Sequence, residues 1–96
     1  VTTFVMAELE RHRAEDFRAF EAEIAARPEI VGAWGLGGGF DYLLQVVTPD
    51  IDAYQRLIDA ILGADVGLAR YFTYIVTNPV KSAPPPLDLL AARQRD

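Results

Sequence analysis

The sequence predicts an α+β domain in which four strands and two helices follow one another in the order β-α-β-β-α-β. Apolar residues recur at helical spacing in two segments, one at residues 14–26 and one after Thr48. Stretches rich in β-branched and aromatic residues flank these segments. Three glycines, Gly37, Gly38 and Gly39, join two of the β-like stretches and predict a tight hairpin.

The four predicted strands cover residues 3–8, 30–36, 40–47 and 66–77. Their composition favours extended backbone, because branched and aromatic side chains pack well on a pleated sheet. An antiparallel sheet with one solvated face alternates apolar and polar residues, but these strands carry apolar side chains on both faces. The sheet therefore has a second apolar face to bury.

The first predicted helix, residues 14–26, carries Phe17, Phe20 and Ile24 on one side. It ends before Pro28, because a residue that precedes a proline avoids the helical region. The spacing therefore predicts a single apolar stripe that faces the sheet.

The second predicted helix has signals at both of its ends. Thr48 is the expected N-cap, Pro49 the first helical residue and Gly63 the C-cap. The apolar stripe between these ends consists of Ile51, Tyr54, Leu57, Ile58, Ile61 and Leu62. This helix is also expected to bury one side only.

This order of elements is typical of the ferredoxin-like fold, an antiparallel four-stranded sheet with both helices on one face. The other face would leave an apolar area too large for a monomer, so we expect two copies to pack sheet to sheet about a two-fold axis. The predicted dimer interface consists of Phe4, Met6, Leu43, Tyr71 and Ile75. Alternatively, the tail that begins at Pro84 folds back over part of this face.

Length and composition exclude several classes of protein. The 96 residues suit one domain, and a net charge of −5 argues against unaided nucleic-acid binding. The chain has no cysteine and no apolar run long enough to cross a membrane. His12 is the single histidine and is expected to be a solvated loop residue. We expect a cytoplasmic protein with no cofactor, no metal and no catalytic residues.

Three motifs carry a resemblance to a known family. The first links Phe-Arg-Ala-Phe at residues 17–20 to Arg-Pro-Glu-Ile-Val at 27–31. The second is Gly-Gly-Phe-Asp-Tyr-Leu-Leu-Gln-Val-Val at 38–47, and the third is Thr-Tyr-Ile-Val at 73–76 followed by Val-Lys at 80–81. Together they resemble the effector-binding, oligomerising domain of the Lrp/AsnC (feast/famine) transcription regulators, and the second motif is the most specific.

The resemblance spans roughly residues 3–87 and implies more than the residue pattern shows. It implies dimers formed through the sheets, which assemble further into tetramers or octamers. It also implies a small effector, commonly an amino acid, bound between dimers, and a separate helix-turn-helix domain through which DNA is bound. That domain is missing here, so the chain is expected to be either the C-terminal piece of a regulator or a stand-alone version of the effector-binding domain. In either case we expect the domain to cover residues 1–83 and a proline-led tail to cover residues 84–96.

The effector site that the resemblance implies lies at the glycine-rich hairpin and part of the last strand. Its predicted residues are Leu36, Gly37, Gly38, Gly39, Phe40, Asp41, Tyr42 and Thr73. Asp41 either pairs with the ammonium of an effector or accepts amides of its own turn. The family often has a hydroxyl residue at the position of Gly37 and a tyrosine at that of Phe40, so an altered effector is one possibility.

Two other functions fit the same fold. A small cofactorless enzyme, such as a monooxygenase or an isomerase, would need polar groups in its cavity, and Gln45, Thr73 and Tyr74 are the evident candidates. A module that assembles without binding any small molecule is the simplest alternative. We expect no catalysis, because few polar side chains lie on the predicted strands.

Overall fold

A computed structural model describes residues 1–91 of the chain. The elements are β1 (Thr2–Leu9), α1 (Ala14–Ala25), β2 (Ile30–Gly35), β3 (Tyr42–Val47), α2 (Ile51–Gly63), β4 (Leu68–Ile75) and a short α3 (Leu87–Ala91). The predicted order β-α-β-β-α-β is confirmed, and α3 follows it within the predicted tail. The rest of that tail, residues 92–96, lies outside the described residues.

The four strands form one antiparallel sheet in the order β2-β3-β1-β4. β1 is an inner strand that pairs with β3 on one side and β4 on the other, so that Val5 is opposite Leu44 and Thr73. β2 pairs with β3 alone and forms one edge of the sheet, while β4 forms the other edge. This arrangement confirms the predicted ferredoxin-like fold.

The helices cover one face of the sheet, here called the closed face. Burial alternates along β1, where every second residue, from Thr3 to Leu9, is buried. Phe20 of α1 is 1% exposed and packs into the same core as the apolar side of α2. The apolar core residues are Val5, Ala7, Leu9, Phe20, Ile24, Tyr42, Leu44, Val46, Tyr54, Leu57, Ile58 and Ile61.

The ends of α2 differ from the prediction. Asp50 is the N-cap, and its side chain accepts a hydrogen bond from Ala53 N at 2.7 Å. Thr48 is instead buried, and its hydroxyl donates to the Asp50 carbonyl at 3.0 Å. Gly63 is the last helical residue, and Ala64 is the C-cap. Ile51 and Leu62, predicted in the apolar stripe, are exposed at the two ends of the helix.

The uncovered side of the sheet, here called the open face, carries apolar side chains as predicted. Residues opposite one another in neighbouring strands point to the same face, so Phe4, Met6 and Leu43 share the open face. The register with β1 places Phe72 opposite Met6 and Tyr74 opposite Phe4. These two residues of β4 therefore belong to the open face, where they are 43% and 57% exposed.

The assignment of Tyr71 and Ile75 to the open face is wrong. Tyr71 is opposite Ala7 and Ile75 is opposite Thr3, and both of these β1 residues are buried on the closed face. In β4 the odd-numbered and the even-numbered residues are both largely apolar, so composition alone could not show which of the two groups faces the helices. That the remaining residues form a dimer interface stays a prediction.

The tail does not cover the open face within the described residues. Every residue from 77 to 91 is exposed, including the leucines of α3. The alternative in which the tail folds back over the sheet is therefore not supported for this part of the chain.

Candidate functional site

The loop between β2 and β3, residues 36–41, is called the glycine hairpin here. Leu36 N donates to the Asp41 carbonyl at 2.9 Å and closes the loop. Gly38 has φ of +127°, a conformation that residues with a side chain rarely adopt. A Cβ placed on Gly37 or Gly39 would meet no atom within 4 Å. The backbone at these two glycines is therefore open to approach by another molecule.

Asp41 fixes the glycine hairpin to the end of β1. Its Oδ2 accepts a hydrogen bond from Leu9 N at 2.8 Å, and its own N–H donates to the Ala7 carbonyl at 3.0 Å. Because these bonds join residues far apart in sequence, they hold the base of the loop while its tip stays uncovered. One alternative was that the carboxylate accepts hydrogen bonds from amides of its own turn. It instead accepts a hydrogen bond from an amide of β1.

His12 is a second partner of Asp41 that the sequence analysis treated as a solvated loop residue. Its Nε2 lies 3.0 Å from Asp41 Oδ2, and its ring lies 5.8 Å from that of Phe17. The side chain is half exposed but has defined contacts. Only the topology brings the β1–α1 connection next to the glycine hairpin, so no local sequence signal could have indicated this pair.

Tyr42 points to the closed face, away from the tip of the hairpin. It is 6% exposed, and its hydroxyl donates to Glu21 Oε2 at 2.5 Å. Its ring lies 4.9 Å from that of Phe20. Burial, followed by the hydrogen bond to the Glu21 carboxylate, raises the pKa of Tyr42 well above its usual value. Glu21 was not among the predicted site residues.

Phe40 belongs to a cluster on the open face that the sequence analysis did not identify. Its ring meets that of Phe72 edge to face at 5.6 Å, and the Arg70 guanidinium lies 5.7 Å from its centroid. Arg70 Nε also donates to Glu8 Oε1 at 2.5 Å. One end of the glycine hairpin thus adjoins a positively charged group that lies close to two aromatic rings.

Thr73 lies away from the glycine hairpin. It is opposite Val5 on the closed face, and its hydroxyl forms a hydrogen bond with that of Tyr54 on α2. Burial raises the pKa of Tyr54, as expected for a phenol packed against the core. The structure therefore brings residues 36–41 together and separates Thr73 from them, with Tyr42 on the opposite face from Phe40.

The candidate catalytic residues of an enzyme do not form one cluster. Gln45 and Tyr74 are both opposite Phe4 and lie on the open face, whereas Thr73 lies on the closed face. Residues 1–91 contain no group of three acidic or histidine side chains placed to bind a metal ion. Nor do these residues include a helix with the length and apolar character needed to span a membrane.

Comparison with known proteins decides the family. A family model described as the Lrp/AsnC ligand binding domain matches residues 2–86. The chain belongs to the Lrp/AsnC family. It is 51% identical over 78 residues to the transcriptional regulatory protein DoeX of Halomonas elongata, covering 81% of this chain and 49% of DoeX. It is 34% identical over 80 residues to the leucine-responsive regulatory protein of Salmonella typhimurium, covering 83% of this chain and 49% of that protein.

Solved structures of transcriptional regulators share the fold. An AsnC family transcriptional regulator from Agrobacterium tumefaciens superimposes with a TM-score of 0.81 at 29% identity, over 93% of this chain and 58% of that one. A regulator from Neisseria meningitidis, solved in complex with L-Met, gives a TM-score of 0.82 at 24% identity, over 93% of this chain and 58% of that one. This Lrp/AsnC chain thus spans about half the length of the curated relatives that it matches.

Proposed function

We propose that this chain is the ligand-sensing and oligomerisation domain of an Lrp/AsnC transcription regulator. A small effector, an amino acid or a related metabolite, binds at the glycine hairpin where two dimers meet. The observation that carries this proposal is the contrast within the hairpin: its base is fixed by Asp41, while the backbone at Gly37 and Gly39 faces open space. Exposed amides on a fixed loop suit a carboxylate or carbonyl of a ligand.

The dimer forms through the open face. Phe4, Met6 and Leu43 share that face with Phe72 and Tyr74, so an apolar surface runs across β3, β1 and β4. Burying this surface against a second copy removes it from water, which is the main driving force of most protein association. The glycine hairpin lies at the end of the same sheet, where dimers can meet.

Effector and assembly are coupled by differential affinity. An effector that fits one dimer–dimer geometry better than another shifts the population toward it, by no more than that difference in binding free energy. A helix-turn-helix domain, joined to this one in the whole regulator, then changes its spacing on DNA. The names of the relatives support a regulator over an enzyme.

The Gly37→Leu variant tests the site without disturbing the protomer. A Cβ at residue 37 meets no atom within 4 Å beyond its chain neighbours, so we expect an unchanged fold and a blocked effector site. The matched control is Gly63→Leu, at the end of α2, where an added Cβ also meets no atom within 4 Å. The two variants and the parent are heated with each standard amino acid in turn, L-Met included because one structural neighbour is a complex with it.

The expected result is a rise in unfolding temperature with at least one amino acid for the parent and for Gly63→Leu, and none for Gly37→Leu. Light scattering with the same amino acid should show a change in oligomer size that Gly37→Leu loses. A full response in Gly37→Leu would refute the hairpin site. A parent that responds to no amino acid would favour the module that assembles without a small molecule.

A further inference from the structure

A cavity of about 420 Å³ lies on the closed face between α1 and the edge strand β2. It is separate from the glycine hairpin, since none of residues 36–41 lines it. Phe20, Ile24, Ile30 and Leu44 supply apolar walls, and Glu21 and Tyr42 supply polar atoms. Its volume falls in the range of small-molecule sites, which is roughly 300–1,000 Å³.

The cavity exists because the residues of β2 are too small to fill the space beside α1. Ala33 is opposite Leu44 and so points to the closed face, but it contributes only a methyl group. Gly35, which is opposite Tyr42 and shares this face, contributes no side chain, and Ala25 on α1 is as small as Ala33. Larger side chains at residues 33 and 35 would close the gap, so the opening is encoded in these two small residues of β2.

The charge of the cavity selects for a cation. Among the described residues that line it, Glu21 alone is charged. Tyr42 donates its hydroxyl proton to Glu21 Oε2, and Oε1 receives no hydrogen bond from any described residue. Because Tyr42 is buried and Glu21 is exposed, the carboxylate stands where the apolar walls meet solvent. A ligand that places an ammonium there gains a charge-assisted hydrogen bond.

We propose that this cavity binds a small primary amine with an apolar body. The body lies against the Phe20 and Tyr42 rings, which are 4.9 Å apart, and the ammonium donates to Glu21. Tyr42 directly follows Asp41 in the chain, so an occupied cavity adjoins the base of the glycine hairpin. The site is built from one protomer and does not depend on the effector site or on the dimer.

Calorimetric titration of the 96-residue chain with three probes of similar shape tests the charge preference. The probes are 2-phenylethylamine, 2-phenylethanol and 3-phenylpropionate. We expect the amine to bind about tenfold more tightly than the alcohol, with the carboxylate weakest. Equal affinity for the amine and the alcohol, or no heat of binding with the amine, would overturn the proposal.

Two pairs of variants locate the binding. Glu21→Gln keeps an acceptor for Tyr42 but removes the charge, so amine affinity should fall by about tenfold and alcohol affinity should change by less than about twofold. Glu15→Gln, the same change at an exposed position of α1, is the control. Ala25→Leu fills the cavity and should weaken both probes, whereas Ala22→Leu, exposed on the same helix and outside the lining, should weaken neither.

Three results would refute the site even if every variant folds. Glu15→Gln could lower amine affinity as much as Glu21→Gln, which would indicate a non-specific charge effect. Ala22→Leu could match Ala25→Leu, which would place binding elsewhere. Affinity that falls as protein concentration rises would show that a second copy occupies the cavity. None of these results bears on the response of the Gly37→Leu variant, so the two proposals fail separately.

Discussion

The two faces of the sheet are both apolar, yet only one of them is covered by the chain itself. On the closed face, Val5 and Leu44 of neighbouring strands are buried under α1 and α2. On the open face, Phe72 is 43% exposed and Tyr74 is 57% exposed. The difference teaches that the second apolar face does not serve the fold of one protomer. It is therefore the face that we propose to pair with a second copy.

The comparison is tested most severely by truncating one aromatic residue on each face. Phe20→Ala removes a fully buried ring and should lower the free energy of unfolding by about 3–5 kcal/mol, because the surrounding core cannot fill the space. Phe72→Ala, at a half-exposed position, should cost the isolated protomer less than about 1.5 kcal/mol. Urea denaturation under dilute conditions measures both, and equal losses would contradict the distinction between the faces.

A charge on the open face should break the dimer and spare the fold. Leu43→Glu places a carboxylate among apolar side chains of the proposed interface, and we expect the dissociation constant to rise by about 100-fold or more. Ile51→Glu is the matched control, because residue 51 is exposed at the start of α2, where an acidic side chain is favourable. Sedimentation velocity gives the oligomer size, and circular dichroism shows whether the protomer is intact. A Leu43→Glu protein that stays dimeric would refute pairing through this face.

The anchor of the glycine hairpin should have a smaller effect. Asp41→Ala leaves Leu9 N without its acceptor and should cost about 1–3 kcal/mol of unfolding free energy. His12→Ala removes a half-exposed partner of the same carboxylate and should cost less than about 1 kcal/mol. Hydrogen exchange at the Leu9 amide should quicken in Asp41→Ala and stay slow in His12→Ala. The opposite order would show that His12 is the main anchor.

The smallest expected effect concerns Tyr42, and its pH dependence appears only at alkaline pH. The pKa of Tyr42 is raised in the folded chain, so as the pH rises this phenol ionises first in the unfolded chain, at about pH 10. The resulting stabilisation is fully present below that pH and is lost as the pH rises toward the folded pKa. Tyr42→Phe should lose about 1 kcal/mol at neutral pH and decline less steeply above about pH 10. Parallel decline of both proteins in urea titrations would contradict this account.

Most of the fold followed from local patterns in the sequence. The spacing of Phe20 and Ile24 and of Tyr54, Leu57 and Ile58 predicted which sides of the helices are buried. These predictions succeeded because each segment has one clearly more apolar side, and burial of that side determines the packing.

The errors arose where local pattern is ambiguous or where contacts join distant residues. β4 is apolar in both alternating sets, so only its register with β1 shows that Tyr71 and Ile75 face the helices. Thr48 and Asp50 are both good N-caps, and the geometry of the loop selects the second. The pairs His12–Asp41 and Glu8–Arg70 link residues far apart in sequence, so no single segment could reveal them.

Trp34, the single tryptophan of the chain, lies against Gly32 on the open face and is 48% exposed. A Cβ at residue 32 would fall 2.6 Å from the indole, so the glycine sets the position of the ring. Its fluorescence therefore provides an intrinsic optical probe at the edge of the apolar surface. Emission from dilute protein should shift to shorter wavelength as concentration increases, so that self-association can be followed without any attached dye.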